Sequence, residues 1–264
     1  MIILPPSPSI LEGELRKISI FDTLSLVREK EEMGKVSTVF LDIDNTLWWF
    51  SRNSDKALAD TFAIVGADQW CADYEHFHDT YEVINLELWR QYSLGLVEKP
   101  VLEVRRFAHT LEACGYKGNS QLLGRCMNDI YLKQLVTHDE LVPGAVELLE
   151  YLHGKGYELN VLSNGFKGVQ EKKLEAGGMN RYISHVILSE DCGVTKPRKG
   201  IYDYAMAQCG CTPDETVMIG DDPGSDIAGA LAAGWLTIYL DLRGEPCPDA
   251  HHSVKSLLEI KEIL

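Results

Sequence analysis

Short apolar runs that stop abruptly at polar residues recur along this chain. The runs starting near Ser37, at Tyr157, at Ile183 and at Val217 end at Leu41, Leu162, Leu188 and Ile219. They are short and predominantly apolar, and read as strands of a parallel sheet, the first of them buried on both faces. The segments Ala145–His153, Lys167–Ala176, Lys199–Gln208 and Asp226–Ala233 instead carry helical periodicity. Alternating strand and helix is what βαβ crossovers require. A different pattern fills residues 49–140. There Ala57–Val65, Tyr74–Tyr92, Val101–Ala113 and Gln121–Leu135 repeat apolar residues every three or four positions, as amphipathic helices do.

The pattern therefore predicts an α/β fold, a Rossmann-like parallel sheet flanked by helices over 36–48 and 141–264. An all-helical unit over 49–140 is inserted into it, with linkers near Trp48–Ser54 and His138–Pro143. Residues 1–35 form an N-terminal extension. Its Pro5-Pro6-Ser7-Pro8 start suggests an extended arm, and Leu15 to Glu32 reads as a helix stopped at Gly34, packed on the core or joining a dimer.

Polar chemistry gathers where the strands end. The first runs into Asp42-Ile43-Asp44-Asn45-Thr46, two carboxylates that lie close enough to need a cation or a proton between them. The second ends at Ser163-Asn164-Gly165, a hydroxyl with free backbone N–H groups suited to a phosphate oxygen. Val194-Thr195-Lys196-Pro197 follows the third, and Gly220-Asp221-Asp222-Pro223-Gly224-Ser225-Asp226 follows the fourth. Each has an ordinary reading alone: a turn, a solvated lysine, a helix cap provided by Ser225 or Asp226. Their shared position changes the picture, because a parallel sheet carries all four to its carboxyl edge, where open α/β folds bind ligands.

In order and residue type these four segments resemble the motifs of the haloacid dehalogenase superfamily, a likeness running from about Val36 to the C-terminus. Asn85 to Tyr92, Ser163-Asn164-Gly165-Phe166 and Leu188 to Pro197 are similar to its pyrimidine 5′-nucleotidase branch. The resemblance implies that residues 49–140 are a mobile helical cap, and that a small phosphorylated metabolite is hydrolysed through an aspartyl-phosphate on Asp42. Asp44 would act as general acid and then base. Mg2+ would be held by Asp42, the backbone carbonyl of Asp44 and Asp221, supported by Asp226 in preference to Asp222. Lys196, Ser163 and Asn164 would bind the phosphate. An acid at Asp44 favours phosphoryl transfer over dehalogenation, since a halide leaves unprotonated. The implied activity is a magnesium-dependent 5′-nucleotidase for pyrimidine nucleoside monophosphates. The alternatives are a phosphatase for phosphoglycolate or a sugar phosphate, a phosphomutase, or a non-catalytic phosphate-binding protein.

Trp48, Trp49, Phe50 and Trp89 are aromatic residues near the expected entrance, and Trp48, Trp49 and Trp89 are candidates to stack on a base, with core packing as the competing role. Composition narrows the partners. A formal net charge of −15 argues against nucleic-acid polymers and anionic membranes, which attract basic surfaces. No run of eighteen apolar residues occurs, and Met1-Ile2-Ile3-Leu4-Pro5-Pro6 lacks the pattern of a signal peptide. The seven cysteines are odd in number, without paired zinc spacing, and fit reduced thiols in a cytoplasm. The eight histidines read as surface or core residues. A monomer or homodimer is expected.

Overall fold

Val39, Phe40 and Leu41 have no exposed surface, because the strand they form lies inside the sheet and packs on both faces. In the computed structural model, which describes Met33 and residues 35–264, this strand is β1 (Thr38–Leu41), paired in parallel with β2 (Glu158–Ser163) and β4 (Thr216–Gly220). The arm and helix expected in the N-terminal extension lie outside the described residues. With β3 (His185–Leu188), β5 (Leu236–Leu240) and β6 (His252–Val254), the six-stranded sheet has the order β3-β2-β1-β4-β5-β6, every pairing parallel. The parallel α/β expectation is borne out, and β5 and β6 extend it.

Period-two alternation divides the core between two faces. Val39, Leu41, Val161, Val217 and Ile219 pack on one side with Leu148 and Leu152, from the helix Ala145–Lys155. Phe40, Leu162 and Met218 pack on the other with Ile201, Tyr202 and Trp235. Leu41 lies opposite both Val161 and Ile219, so Ser163 and Asp221 emerge at nearly the height of Asp42. The strand order reverses about β1, so these ends border the crevice of a topological switch point.

The insert forms four helices, α1 (Phe50–Ile64), α2 (Tyr74–Ser93), α3 (Lys99–Ala113) and α4 (Ser120–Leu135). Local chemistry sets their starts. The Asp73 side chain accepts from the His76 N–H at the head of α2, and Asn119 from Leu122 at the head of α4, both side-chain caps of orphan donors. Helix α1 begins at Phe50, ahead of the apolar period that starts at Ala57. The four enclose their own core, with Phe62, Phe77, Tyr81, Phe107, Met127 and Tyr131 among its members.

The two linkers run side by side: the Val142 N–H donates to the Leu47 carbonyl at 2.9 Å, and Trp49 N–H to that of Glu140 at 3.0 Å. The Glu140 carboxylate binds Arg52 and Lys56 of α1. Beside this crossing, Trp48 is fully buried in the main core with Ile43, Leu47 and Val142. That corrects its placement as an entrance aromatic: the chain doubles back after β1 and turns the indole inward. Trp49 packs on the same core, its ring 3.4 Å beneath the Arg52 guanidinium. Among the described residues no helix is long and apolar enough to cross a membrane.

Helices α3 and α4 meet backbone to backbone at Gly124. A Cβ there would sit 2.8 Å from the Ala108 nitrogen and 3.0 Å from the Val104 carbonyl oxygen, neither of which can rotate away. Gly124→Val is expected to destabilise the protein by about 2 kcal/mol, the scale of core overpacking. Urea denaturation checks it, and an unchanged midpoint would contradict this packing.

Candidate active site

Immediately beyond β1 the chain turns sharply. The Thr46, Leu47 and Trp48 amides all point to the Ile43 carbonyl, and Asn45 adopts a positive φ of 60°, a conformation asparagine tolerates better than most residues. The Asn45 side chain accepts from the Ser51 N–H at 2.9 Å, tying the turn to the start of α1. Asp42 and Asp44 are thereby held at the sheet edge on either side of Ile43, which is buried.

Lys196 organises the site. Its ammonium, buried, donates to Asp42 Oδ1 at 2.7 Å, Asp226 Oδ1 at 2.6 Å and the Leu162 carbonyl at 2.8 Å, which occupies all three of its protons. Asn164 fixes the lysine backbone from both sides: its Oδ1 accepts from the Lys196 N–H at 2.7 Å, and its Nδ2 donates to the Lys196 carbonyl at 3.0 Å. The Asn164 side chain is thus engaged in holding the loop, and only its backbone is left for a ligand. Ser163 Oγ accepts from the Gly165 N–H and from Gln170 Nε2, leaving its own proton free to donate.

Asp226 approaches through an unusual helix start. A wide turn over Pro223–Ile227, capped by Asp222 accepting from the Ser225 N–H, precedes the helix Ala228–Ala232. It presses Asp226 so close to Gly220 that a Cβ there would lie 2.2 Å from Asp226 Oδ2, so only glycine fits that strand end. Asp222 stays exposed. Asp221 lies within 3.5 Å of Thr46 Oγ1, and Arg243 Nη2 is 3.4 Å from its other oxygen.

Carboxylate oxygens of Asp42, Asp221 and Asp226 lie within 4.8 Å of one another. Burial pushes the Asp42 carboxyl up to about 7, against the pull of Lys196 and with the push of Asp226 and Asp44. Burial also pushes Asp221 up to about 8, helped by Asp42 and Asp226, and raises Asp226. Burial opposes the ammonium of Lys196, yet Asp226 and Asp42 hold it above the ordinary lysine range. One lysine does not balance three carboxylates. A compact set of hard oxygen donors with excess negative charge fits a divalent cation. The Asp44 side chain is absent from this trio, being held elsewhere.

Two residues of the helix Gln170–Ala176 hold it. Lys173, itself buried, approaches Asp44 Oδ1 at 2.5 Å, and Gln170 Nε2 donates to Asp44 Oδ2 at 2.9 Å while reaching Ser163 Oγ at 2.8 Å. Sequence reasoning placed both on a helix but gave them no role. Their spacing, seven and ten residues past Ser163, was the available signal, since a helix returning from that strand end turns this face toward the edge.

Above the edge opens a cavity of about 490 Å³ whose cap side includes Glu82, Asn85, Trp89, Arg106 and Tyr131. Trp89 stacks on Phe166 at 5.1 Å between ring centroids, so of the three tryptophan candidates it alone lines the cavity; Trp48 and Trp49 do not. Arg106 is buried, and its guanidinium donates to Asn128 and to the Tyr81 hydroxyl. Asn85 Oδ1 is buried with no hydrogen-bond partner.

A parallel α/β edge with a clustered acidic trio, a buried lysine and a free hydroxyl defines a phosphomonoester hydrolase. The chain belongs to the haloacid dehalogenase-like hydrolase family, whose profile matches residues 36–234. It is 30% identical over 237 residues to the pyrimidine 5′-nucleotidase YjjG of Escherichia coli (strain K12), a match spanning 86% of this chain and 96% of the relative. It is 29% identical over 202 residues to the pyrimidine 5′-nucleotidase PynA of Streptococcus pneumoniae (strain ATCC BAA-255 / R6), covering 76% and 82% of the two chains. Among solved structures, the putative HAD-hydrolase YfnB of Bacillus subtilis bound to magnesium superposes with a TM-score of 0.78 at 26% identity, covering 87% of this chain and 98% of that one.

The raised carboxyls fix the sign of a pH effect. Above about pH 4 the folded, metal-free chain keeps a proton on Asp42 up to about pH 7 and on Asp221 up to about pH 8 that the unfolded chain has already released, so its stability falls as pH rises through this range. A cation held by the trio reverses this. Thermal melting in EDTA should show the decline, and saturating magnesium should raise Tm most at the alkaline end. Asp221→Asn should lose the magnesium-induced rise without losing stability in EDTA. A wild-type Tm indifferent to magnesium at pH 8 would refute the cation site.

Proposed function

We propose that this chain is a magnesium-dependent phosphatase acting through a phosphorylated Asp42 on nucleoside 5′-monophosphates, with pyrimidine nucleotides preferred. The reaction rests above all on one observation: buried Lys196 held against Asp42 at 2.7 Å, with the Ser163 hydroxyl and Asp44 at the same edge. Bound among Asp42, Asp221 and Asp226, the cation would supply the positive charge that lets an anionic carboxylate approach an anionic phosphate. Lys196 and the Ser163 hydroxyl would face the non-bridging oxygens and offset the charge carried there in the transition state.

Asp42 attacks phosphorus, forming the acyl-phosphate bond as the bond to the leaving oxygen breaks. Asp44 delivers a proton to that oxygen, so a neutral alcohol departs. Asp44 then takes a proton from water as the water attacks phosphorus, releasing phosphate and restoring Asp42. Lys173 and Gln170 keep the Asp44 carboxyl group at the edge through both steps, as the acid in the first and the carboxylate in the second, and Gln170 couples its position to that of Ser163. They are positioning residues, since they act through Asp44.

The substrate reading draws on the cavity and on the likeness to the E. coli and S. pneumoniae enzymes. Its volume of about 490 Å³ is in the range of small-molecule pockets, and the Trp89–Phe166 wall offers a flat ring a surface to stack on. A second reading has its own support. Arg106 has no carboxylate within ion-pair distance among the described residues, and a buried unpaired charge is unfavourable. A leaving group bearing a further anion, as in phosphoglycolate or a sugar bisphosphate, would satisfy it.

Phosphate-release assays separate the two. UMP and dTMP should give higher kcat/KM than phosphoglycolate and sugar phosphates, and EDTA should abolish release from all of them. A reversed ranking would favour the acidic leaving group, and release in EDTA would overturn the metal-dependent mechanism. Asp42→Asn should fold and lose turnover. Lys173→Met should lower kcat about ten- to a hundredfold, part of the 10²–10⁴ range of general acid–base catalysis, with little change in KM; wild-type kcat would remove it from the mechanism.

A further inference from the structure

The opposite end of the sheet carries a second group of metal-binding side chains. Glu158 opens β2, His185 opens β3, and Cys209 closes the helix Lys199–Cys209. They are 27 and 24 residues apart in sequence, which is why no cysteine or histidine spacing announced them. Register brings them together: His185 lies opposite Asn160, and Glu158, two residues before Asn160, shares its face of the sheet. Cys209 packs against the core of that same face.

We propose that Glu158, His185 and Cys209 form a binding site for a zinc-like transition metal, separate from the catalytic cation. Their ligand atoms all lie within 4.8 Å of one another. Cys209 Sγ is 3.7 Å from His185 Nδ1, and that nitrogen is 3.4 Å from Glu158 Oε1. Tetrahedral zinc, with bonds of about 2.0–2.1 Å to nitrogen, 2.3 Å to sulfur and 2.0–2.2 Å to oxygen, places such pairs about 3.6 Å and about 3.4 Å apart. Two of the three pairs therefore stand at their coordinating separations, and the third lies within 4.8 Å. Thiolate and imidazole select zinc or cobalt over magnesium, whereas the catalytic trio offers only oxygen.

Asn160 gives the site a supporting group. It is fully buried beside His185, with Oδ1 2.9 Å from Nδ1, while its Nδ2 has no hydrogen-bond partner. Once Nδ1 binds a metal it has no proton to donate, and the amide turned over would direct Nδ2 toward the metal-held carboxylate or thiolate, as supporting donors do at metal sites. His185 and Glu158 keep 46% and 39% of their side-chain surface exposed, so solvent can complete a fourth position. Such an ion would fasten the end of the helix that follows Lys196-Pro197 to the starts of β2 and β3. Ser163 lies five residues beyond Glu158 along β2, about 16 Å at the usual rise per residue, so the two sites can be tested apart.

The test uses the full chain, stripped of metal, saturated with magnesium and then titrated with cobalt(II). One equivalent should produce the visible bands of tetrahedral cobalt and a near-ultraviolet sulfur-to-cobalt charge-transfer band, and zinc should bleach both. Cys209→Ser should lose the charge-transfer band, Glu158→Gln should weaken binding at least about tenfold, and Asp221→Asn should leave the spectrum unchanged. Circular dichroism confirms that the variants are folded. Absence of the sulfur band in wild type, its persistence in Cys209→Ser, or its loss in Asp221→Asn would overturn the proposal.

Discussion

Lys196 is the point on which the catalytic edge depends. A lysine with almost no solvent contact is stable only where each of its protons meets an acceptor and its charge meets an opposite one. Here the acceptors come from three places: Asp42 after β1, the Leu162 carbonyl near the end of β2, and Asp226 beyond β4. One ammonium therefore ties together the ends of three neighbouring strands, and Asn164 grips its backbone from a fourth direction. Any of these partners removed leaves a buried charge poorly met, so the arrangement is demanding as well as cohesive. It also remains incomplete, because the carboxylates outnumber the cation. The same residues that fix the geometry create a pocket in need of more positive charge, which joins structure to metal binding.

The parallel core was legible because its signal is physical and repetitive. Strands buried on both faces are rich in apolar residues over a short length, and four such runs, each leading into a polar segment, became β1 to β4. β5 and β6 were not read. Leu236-Thr237-Ile238-Tyr239-Leu240 is as apolar as the others but leads into none of the four polar segments, and His252-Ser253-Val254 is short and polar. Asp42, Ser163, Lys196, Asp221 and Asp226 could be brought to one edge in argument, since a residue following a strand has few other places to be. Trp48 shows where that logic fails. It also follows a strand, but the turn with positive φ at Asn45 reverses the chain and sends its indole into the core. The sequence contains no periodic signal for such a reversal.

Gln170 and Lys173 show a different gap. Strand ends announce themselves through abrupt changes in polarity, whereas a functional residue on a helix sits among others that also alternate. Lys173 looks like any lysine of the segment Gln170-Glu171-Lys172-Lys173 until the fold shows that it is buried while Lys172 is exposed. The same holds for Arg106, indistinguishable in sequence from Arg105, yet enclosed by Tyr81, Asn128 and Tyr131. Function on helices is decided by which face is covered, and covering is a tertiary fact.

The insert carries this to its consequence. Its helices are held to one another by a hydrophobic core of their own, and to the α/β unit by two linkers paired through Leu47, Trp49, Glu140 and Val142 and by contacts of Ser93 with Thr195, Leu94 with Arg198, Lys99 with Glu190 and Trp89 with Phe166. The chemistry below is fixed by strand register and cannot drift without breaking the sheet. The cap wall, with Asn85, Trp89 and Arg106, is placed by helix packing and by the Trp89–Phe166 stack, and none of these three side chains bonds to Lys196 or its acceptors. An unpaired Asn85 oxygen and an Arg106 lacking a counter-ion fit that division: they are tolerable in a cap held together by other residues, and they leave hydrogen-bonding capacity facing the cavity.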